Sequence, residues 1–357
     1  MKRVVLGVSG GVDSSVAAYI LKQQGYDVIG LFMKNWQDDD DGYCTARDDY
    51  LDAKSVCLKL GIPCYSVNFT QEYWDNVFSV FLEEYKKGRT PNPDILCNSE
   101  IKFKCFLNYA RENFDAEYIA TGHYARNDYL DGRPRLLKGA DPNKDQSYFL
   151  SFLRPEQIKG ALFPIGGMLK SQVRQIAADL NLRTASKKDS TGICFIGERN
   201  FRNFLSNYLP AQKGDIVDAD THNKIGTHNG LMYYTIGQRR GLGIGNIKEG
   251  QRWFVCGKDI KNNILYAAEG ADNPLLYKKG FICTQTNFIK PLKDRKYTLN
   301  VKYRYRQDEK PCVVKINGSK IECIFDTPQS GVAPGQTGAF YDGEELVCAG
   351  IIDNPLD

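Results

Sequence analysis

The chain has 357 residues, 42% hydrophobic and 25% charged, with a formal net charge of +4. That balance excludes a disordered or collagen-like chain, and the length suggests two or three domains, each able to bury a core. Apolar runs stay well short of the roughly 18 residues of a membrane helix, and the strand-like opening MKRVVLGV leaves no room for a signal peptide, so a cytoplasmic location without membrane contact is expected.

Residues Val4 to Val8 predict a buried strand. It runs through GVSGGVDSS into a helix over 14–24, with Val16, Ala17, Ile20 and Leu21 on one face and Gly25 as its stop. A second buried strand is predicted over 27–33, a helix over 48–60 ended by Gly61 and Pro63, and a short strand over 65–69. Helices over 71–86 and 99–113, a strand over 118–121 and a helix over 171–182 follow. This βαβα order implies an α/β domain with a doubly wound parallel sheet, whose ligands bind beyond the carboxyl ends of its strands. Two long connections interrupt it: acidic QDDDDG at 37–42, read as a solvated loop, and GRTPNPDILCNSE at 88–100. Long irregular loops in compact domains are usually functional or mobile.

After about residue 205, Gly-rich turns separate short alternating runs (KGDIVDA, RWFVCGKD, NILYAAEG), which suggests a small module with β-strands. From about 277 the runs lengthen (YTLNVKYRYR, PCVVKING, KIECIFD), as in an antiparallel barrel or sandwich. The expected division is a catalytic α/β domain over 1–204, a small central domain over 205–275 and a C-terminal β-domain over 276–357.

Charge is unevenly spread. Residues 277–320 hold twelve Lys or Arg against three acids, a density compatible with a nucleic-acid footprint or with a solvated lysine-rich surface. Within that block KYRYR, read as a strand, puts Lys302, Arg304 and Arg306 on one face and Tyr303 and Tyr305 on the other, a stripe suited to phosphate contacts. None of the eleven cysteines forms a C-x-x-C pair, so no zinc or iron–sulfur centre is expected. Cys283, Cys312, Cys323 and Cys348 fall in strand-like runs and read as core thiols. His222 and His228 read as surface or capping residues, and the aromatics Tyr73, Trp74, Phe78 and Phe81 as core.

The stretch GVSGGVDSS carries the first chemical signal. A strand, a Gly/Ser turn and a helix N-terminus together make an anion site, because free N–H groups and the helix dipole both favour negative charge. Gly10 and Gly11 allow close approach of a phosphate, and Ser9, Ser14 and Ser15 add hydroxyls. The lysine of a Walker A loop is missing. SGGVDSS instead resembles the pyrophosphate-binding loop of the ATP-pyrophosphatase superfamily, which cleaves ATP between the α- and β-phosphates and adenylates a carbonyl oxygen. The loop alone leaves other members of that superfamily open, as well as an RNA-binding module that senses nucleotide without catalysis.

Two cysteines stand out by context. NPDILCN places Cys97 in a polar loop just before a helix, where a thiol's pKa can be lowered, and GICFIGERNF places Cys194 between glycines. With TGHYAR and KDQSYFL, these motifs in this order resemble the bacterial tRNA-specific 2-thiouridylase family across the whole chain. The resemblance implies an N-terminal PP-loop domain, a small central domain and a C-terminal β-barrel. It implies formation of 2-thiouridine at the wobble position of the tRNAs for Lys, Glu and Gln, with ATP as substrate, Mg²⁺, and sulfur from a cysteine desulfurase or a relay protein. By the same resemblance Gly7, Val8, Ser9, Gly10, Gly11, Val12, Asp13 and Ser14 would cradle ATP, joined by Met33 and Gly122. Asn92, Pro93 and Asp94 would surround the target base. His123, Lys144, Asp145, Gln146, Arg304, Tyr305 and Gln336 would touch tRNA. Cys97 would be the nucleophile and Cys194 the persulfide carrier, the two ending as a disulfide. Asp94 is also a candidate general acid or base, and Asp13 a candidate Mg²⁺ ligand through the ATP phosphates.

Overall fold

The computed structural model describes residues 1–36, 46–189, 201–244 and 252–357. The acidic run 37–42 and Cys194 lie outside the described residues.

The N-terminal part alternates as expected: β1 (Arg3–Gly7), α1 (Val12–Gln23), β2 (Asp27–Lys34), α2 (Ala46–Leu60) and β3 (Cys64–Asn68). Two long helical stretches over 70–86 and 93–114 follow, each with a π-helical segment, at Trp74–Phe78 and Cys97–Cys105. β4 (Tyr118–Ala120) returns to the sheet. A hairpin of β5 (Ala125–Leu130) and β6 (Arg133–Lys138) comes next, then β7 (Ala161–Leu162) and the helix Lys170–Asp179. The sheet is parallel, in the order β3-β2-β1-β4-β7.

Strand alternation splits the core between the two faces. Val4 and Leu6 of β1 pack with α1, α2 and the helix Lys170–Asp179, while Val5 packs with the helices over 70–86 and 93–114. Tyr73, Phe78 and Phe81 are buried in that second face, with Trp74 stacked at its edge on Trp36. The sheet is therefore wound on both faces. The chain leaves β1 in one direction, to β2 and β3, and returns on its other side with β4 and β7. The switch point lies between β1 and β4, the place where sheets of this kind bind their ligands.

The central module is a four-stranded sheet, β10-β11-β8-β9, made of β8 (Gly214–Asp218), β9 (Lys224–His228), β10 (Trp253–Asp259) and β11 (Ile264–Glu269). His228 is buried there, its ring nitrogens bonded to the Asn263 carbonyl and the Gly230 N–H, whereas His222 is exposed in a turn. The C-terminal part is β12 (Tyr277–Phe288), β13 (Lys296–Lys302), β14 (Lys310–Asn317), β15 (Lys320–Ser330), β16 (Thr337–Asp342) and β17 (Glu345–Leu356). Their order β12-β15-β14-β13-β16-β17, closed by β12 on β17, is an antiparallel barrel rather than a sandwich. Cys283, Cys312, Cys323 and Cys348 are buried inside it.

The hairpin β5–β6 was not anticipated from the sequence. Its turn is Asp131-Gly132, both at positive φ, as a two-residue hairpin with right-handed strand twist requires. β6 pairs with β17 through Leu137–Glu345 and Leu136–Leu346. The hairpin thereby leaves the N-terminal domain and extends the sheet of the barrel, fixing one against the other.

Candidate active site

The glycine-serine loop occupies the switch point. Gly11 caps α1 in an extended conformation, and Gly10 has φ of 71°, a left-handed value. A Cβ on Gly10 would stand 2.2 Å from the Asp49 carbonyl oxygen, so both conformation and space demand glycine. The Ser9 and Ser14 hydroxyls are 3.1 Å apart, and the Ser9 N–H donates to Ser14 Oγ at 3.2 Å. Ser15 Oγ donates to the Gly11 carbonyl at 2.7 Å. Gly122, after β4, lies flat on the loop: a Cβ there would be 2.8 Å from Ser14 N. Met33, at the end of β2, points its Cε at Gly7, 3.2 Å from where that residue's Cβ would be. Gly7 to Ser14, Met33 and Gly122 thus meet around one loop.

Two lysines reach this loop from far along the chain, and neither was foreseen. Lys187 Nζ donates to the Gly10 carbonyl at 2.9 Å and to Asp49 and Asp52 at 2.7 Å each, tying α2 to the loop. Lys170 Nζ lies 2.8 Å from both oxygens of Asp13 and 2.8 Å from Asp189. The Tyr124 hydroxyl also donates to Asp13 at 2.8 Å, and burial together with the Asp13 charge holds that phenol protonated. Asp189 further binds Lys144 at 2.6 Å and Arg174 at 2.7 Å. Burial pushes its pKa up, but hydrogen bonds from Lys144 and Lys170 outweigh that and hold the carboxyl at about 2. One local sign of Lys170 did exist. It opens a helix, the end where a cation is disfavoured, so something other than the helix must hold it.

Cys97 is not in a loop. Asn92 caps a helix by accepting from the Asp94 N–H at 3.1 Å, Pro93 follows at the first helical position, and Cys97 sits one turn in, fully buried. The Asn-Pro pair is a helix start that a sequence reading can find. The next residue, Asn98, donates to the Phe149 carbonyl at 3.0 Å, while its own side-chain oxygen is buried with no hydrogen bond.

The other candidates gather around this turn. Gln336, beside the barrel strand β16, donates from Nε2 to the Thr90 carbonyl at 2.6 Å, just ahead of Asn92. Tyr305 packs on Phe149 with ring centroids 4.3 Å apart and ring planes tilted by 42°. Gln146 Oε1 accepts from the Tyr124 N–H at 2.9 Å, which places it next to Gly122 and His123. His123 bonds Thr121 Oγ1 through Nδ1 at 2.8 Å and packs between Phe103 and Phe163. Burial, with the Lys102 charge adding, holds its pKa well below the usual value, so the ring is neutral. Segments from the N-terminal domain and the barrel therefore line one region beside the loop.

Three side chains, Asp145, Lys302 and Arg304, are turned differently from the sequence expectation. Asp145 is buried, accepting from the Gly139 and Ser147 N–H groups and from Ser147 Oγ. The KYRYR strand ends at Lys302, so no three-cation stripe forms. Lys302 lies 3.8 Å from Asp145, Arg304 donates to the Ile236 carbonyl of the central module, and only Arg306 is exposed. Strand alternation failed here because the chain turns at Tyr303.

For metal chemistry, no group of three or more His, Cys, Asp or Glu is poised to hold an ion among the described residues. The loop itself offers Asp13, a hard oxygen donor now engaged by Lys170 and Tyr124. A carboxylate of this kind is a donor that Mg²⁺ takes. No described helix is long and apolar enough to cross a membrane.

A doubly wound domain with a glycine-serine anion loop at its switch point, joined to two β-modules, defines a PP-loop nucleotide-binding enzyme with an appended barrel. Residues 2–198 match the family described as tRNA methyl transferase HUP domain, 202–269 the tRNA methyl transferase PRC-barrel domain, and 278–352 the aminomethyltransferase beta-barrel domain. Over 99% of its length the chain is 57% identical to the tRNA-specific 2-thiouridylase MnmA of Citrobacter koseri, covering 98% of that protein. It is 56% identical to the tRNA-specific 2-thiouridylase MnmA 1 of Geobacillus kaustophilus, over 99% of this chain and 96% of that one. The chain belongs to the tRNA-specific 2-thiouridylase family.

Proposed function

We propose that the chain is a tRNA-uridine 2-sulfurtransferase acting on the wobble uridine, position 34, of the tRNAs for Lys, Glu and Gln. The observation that carries the reading is full-length identity to 2-thiouridylases, with the loop and the Cys97 turn on one domain. Uracil C2 is a poor electrophile, its carbonyl being part of a urea-like ring. Attack of O2 on the α-phosphorus of ATP expels pyrophosphate and turns O2 into a leaving group.

Backbone N–H groups of Gly10 to Ser14 and the α1 dipole stabilise the phosphates. Asp13 would be the loop's ligand for Mg²⁺ carried on those phosphates, an ion that would neutralise their charge. Asn92, Pro93 and Asp94 hold the base, and Asp94 is the candidate acid or base. His123, Lys144, Asp145, Gln146, Arg304, Tyr305 and Gln336 form the tRNA surface. Asp145 acts there through its main chain, since its carboxylate is engaged inside.

The terminal sulfur of a Cys194 persulfide attacks C2 and AMP departs with O2; the Cys97 thiolate then attacks Cys194 Sγ, the bond from that sulfur to the transferred one breaks with its electron pair going to the new thiocarbonyl sulfur, and a Cys97–Cys194 disulfide remains. Alternatively Cys97 makes the same exchange first, and the hydrosulfide it frees attacks C2 as AMP departs. An external dithiol resets the pair. A cysteine desulfurase or relay protein loads Cys194, in the cytoplasm. The test is thiolation of unmodified tRNA for Lys with ATP and a persulfide source. Cys97→Ser and Cys194→Ser are each expected to abolish product. Full thiolation by either variant refutes the sulfur path.

A further inference from the structure

Cys57 and Cys64 stand on either side of the turn that joins α2 to β3, and the sulfur chemistry above uses neither. Cys64 pairs with Gly30 of β2 in the parallel register, so both residues face the same side of the sheet. Cys57 comes down on that side from α2, fully buried, with Sγ 2.7 Å from where a Cβ on Gly30 would be. The missing side chain of Gly30 leaves the place that the Cys57 sulfur fills, beside Cys64. Cys57 lies inside the core cluster of this face and Cys64 half-buried at its edge. The Cys57 S–H donates to the Cys64 sulfur. That contact and burial push the Cys57 thiol up, while the same contact, aided by the Lys54 charge, lowers the Cys64 thiol against the effect of burial. Cys283, Cys323 and Cys348 offer a contrast: burial in the barrel pushes their thiols up, which leaves them inert. A partly accessible thiol that favours its thiolate, next to a buried one that can resolve it, is the arrangement of a redox-sensing pair.

We propose that Cys57 and Cys64 form a reversible disulfide, made by a hydroperoxide and undone by a dithiol, which ties α2 to β3 and weakens ATP binding at the anion loop. The Cys64 thiolate attacks one peroxide oxygen. A sulfur–oxygen bond forms, the O–O bond breaks, and its electron pair leaves on the other oxygen, which is protonated to water. Cys57 then loses its proton and attacks Cys64 Sγ. The disulfide bond forms, the sulfur–oxygen bond breaks, and the departing hydroxide takes a proton as a second water. The two thiols lose two electrons in all and the peroxide gains them. The external dithiol that resets Cys97 and Cys194 reverses the step by exchange. The link to the loop is direct. The first turns of α2 lie on Gly10, with no room for a Cβ before the Asp49 carbonyl, and Val8 Cγ1 is 3.5 Å from the Gly30 position that Cys57 fills. Drawing two sulfurs from contact into a bond pulls the far end of α2 toward β3, and close-packed interiors transmit such a strain. The effect on ATP rests on the nucleotide reading of the loop given above.

The experiment treats the full chain with hydrogen peroxide, alkylates the remaining thiols, and reads tryptic peptides by mass spectrometry and ATP affinity by calorimetry. Trypsin cuts after Lys54, Lys59 and Lys86, so the disulfide joins peptide 55–59 to peptide 60–86. That joined pair is expected in wild type, is lost on adding a dithiol, and is absent from Cys64→Ser. Coupling between two sites commonly changes affinity by about fivefold or more, and a fall of that size is expected for oxidised wild type. Cys64→Ser is expected to bind ATP like reduced wild type before and after peroxide. Peroxide reaches Cys97 and Cys194 equally in both proteins, so the difference belongs to this pair. In Cys57→Ala, dimedone is expected to trap Cys64 as a sulfenic acid. Peptides that stay unlinked in wild type, whether Cys64 remains a thiol or runs on to sulfinic acid, overturn the proposal. So does a linked wild type that binds ATP as tightly as the reduced protein. If reduced wild type binds no ATP, the nucleotide reading falls by itself, and the linked peptides alone then decide on the pair.

Discussion

Gly10→Ala isolates what the loop geometry demands. The residue stands at φ of 71°, with its hypothetical Cβ 2.2 Å from the Asp49 carbonyl oxygen, 2.8 Å from that carbonyl carbon and 2.9 Å from the Asp49 Cα. Left-handed backbone costs a non-glycine residue about 1–2 kcal/mol. The clash is with main chain at the start of α2, which cannot step aside alone because Lys187 fastens Asp49 and Asp52 to the loop. Overpacking of this kind costs about 1–3 kcal/mol, for a sum of about 2–5 kcal/mol. At about 2–4 °C per kcal/mol for a domain of this size, the first thermal transition should fall on the order of 10 °C. Gly25→Ala is the control: φ is 80° but nothing lies within 4 Å, so only the backbone term applies. Thermal scans of both variants, with and without ATP, separate the two costs, and the ATP-induced shift should vanish in Gly10→Ala alone. Equal destabilisation of the two, with ATP still stabilising Gly10→Ala, would refute the assignment of this loop as a tightly packed phosphate cradle.

Arg304 and Arg306 should part company. Arg306→Glu, at an exposed side chain, should flatten the salt dependence of tRNA binding by about one or two counterions. Arg304→Ala should both lower stability, by breaking the barrel's bond to Ile236, and weaken tRNA binding, and equal salt slopes for wild type and Arg306→Glu would remove Arg306 from the interface. His123 should stay neutral between pH 6 and 8 by NMR. Its folded pKa lies below the unfolded value of about 6.5, so between the two the unfolded chain binds a proton that the folded chain refuses. This contribution is fully present above pH 6.5 and is lost as pH falls. His123→Gln should flatten the stability profile there, as read from urea midpoints at pH 5 and 7; an unchanged slope would show that the ring titrates normally in the fold.

What could be read ahead follows a physical line. The strand–loop–helix at Val4 to Gln23, the two-faced parallel sheet and the antiparallel strands of the C-terminal part rest on local pattern, apolar runs, caps and glycine stops, whereas their closure into a barrel follows only from the family resemblance. Cys97 lies in a helix where the sequence suggests a loop, because the prolines of TPNPDIL read as breakers although Asn92-Pro93 makes a first turn. KYRYR failed differently. Alternation in sequence says which way side chains point only while the strand lasts, and nothing local marks its end at Lys302. The remaining gaps are contacts whose partners are remote. Lys170 meets Asp13 across 157 positions and Gln336 meets Thr90 across 246, and each depends on two chains of packing being right at once. Such contacts concentrate at the site for a reason. A carbonyl oxygen, a triphosphate and a thiol must be brought together from separate elements, and no single run of sequence can present all three. The hairpin β5–β6 supplies the rigid part of that arrangement by pairing with β17, so the barrel side chains at Tyr305 and Gln336 are set against the Asn92 turn before any ligand arrives. Preorganised polar groups need no rearrangement when charge develops, which is what an adenylation at an unreactive carbonyl requires.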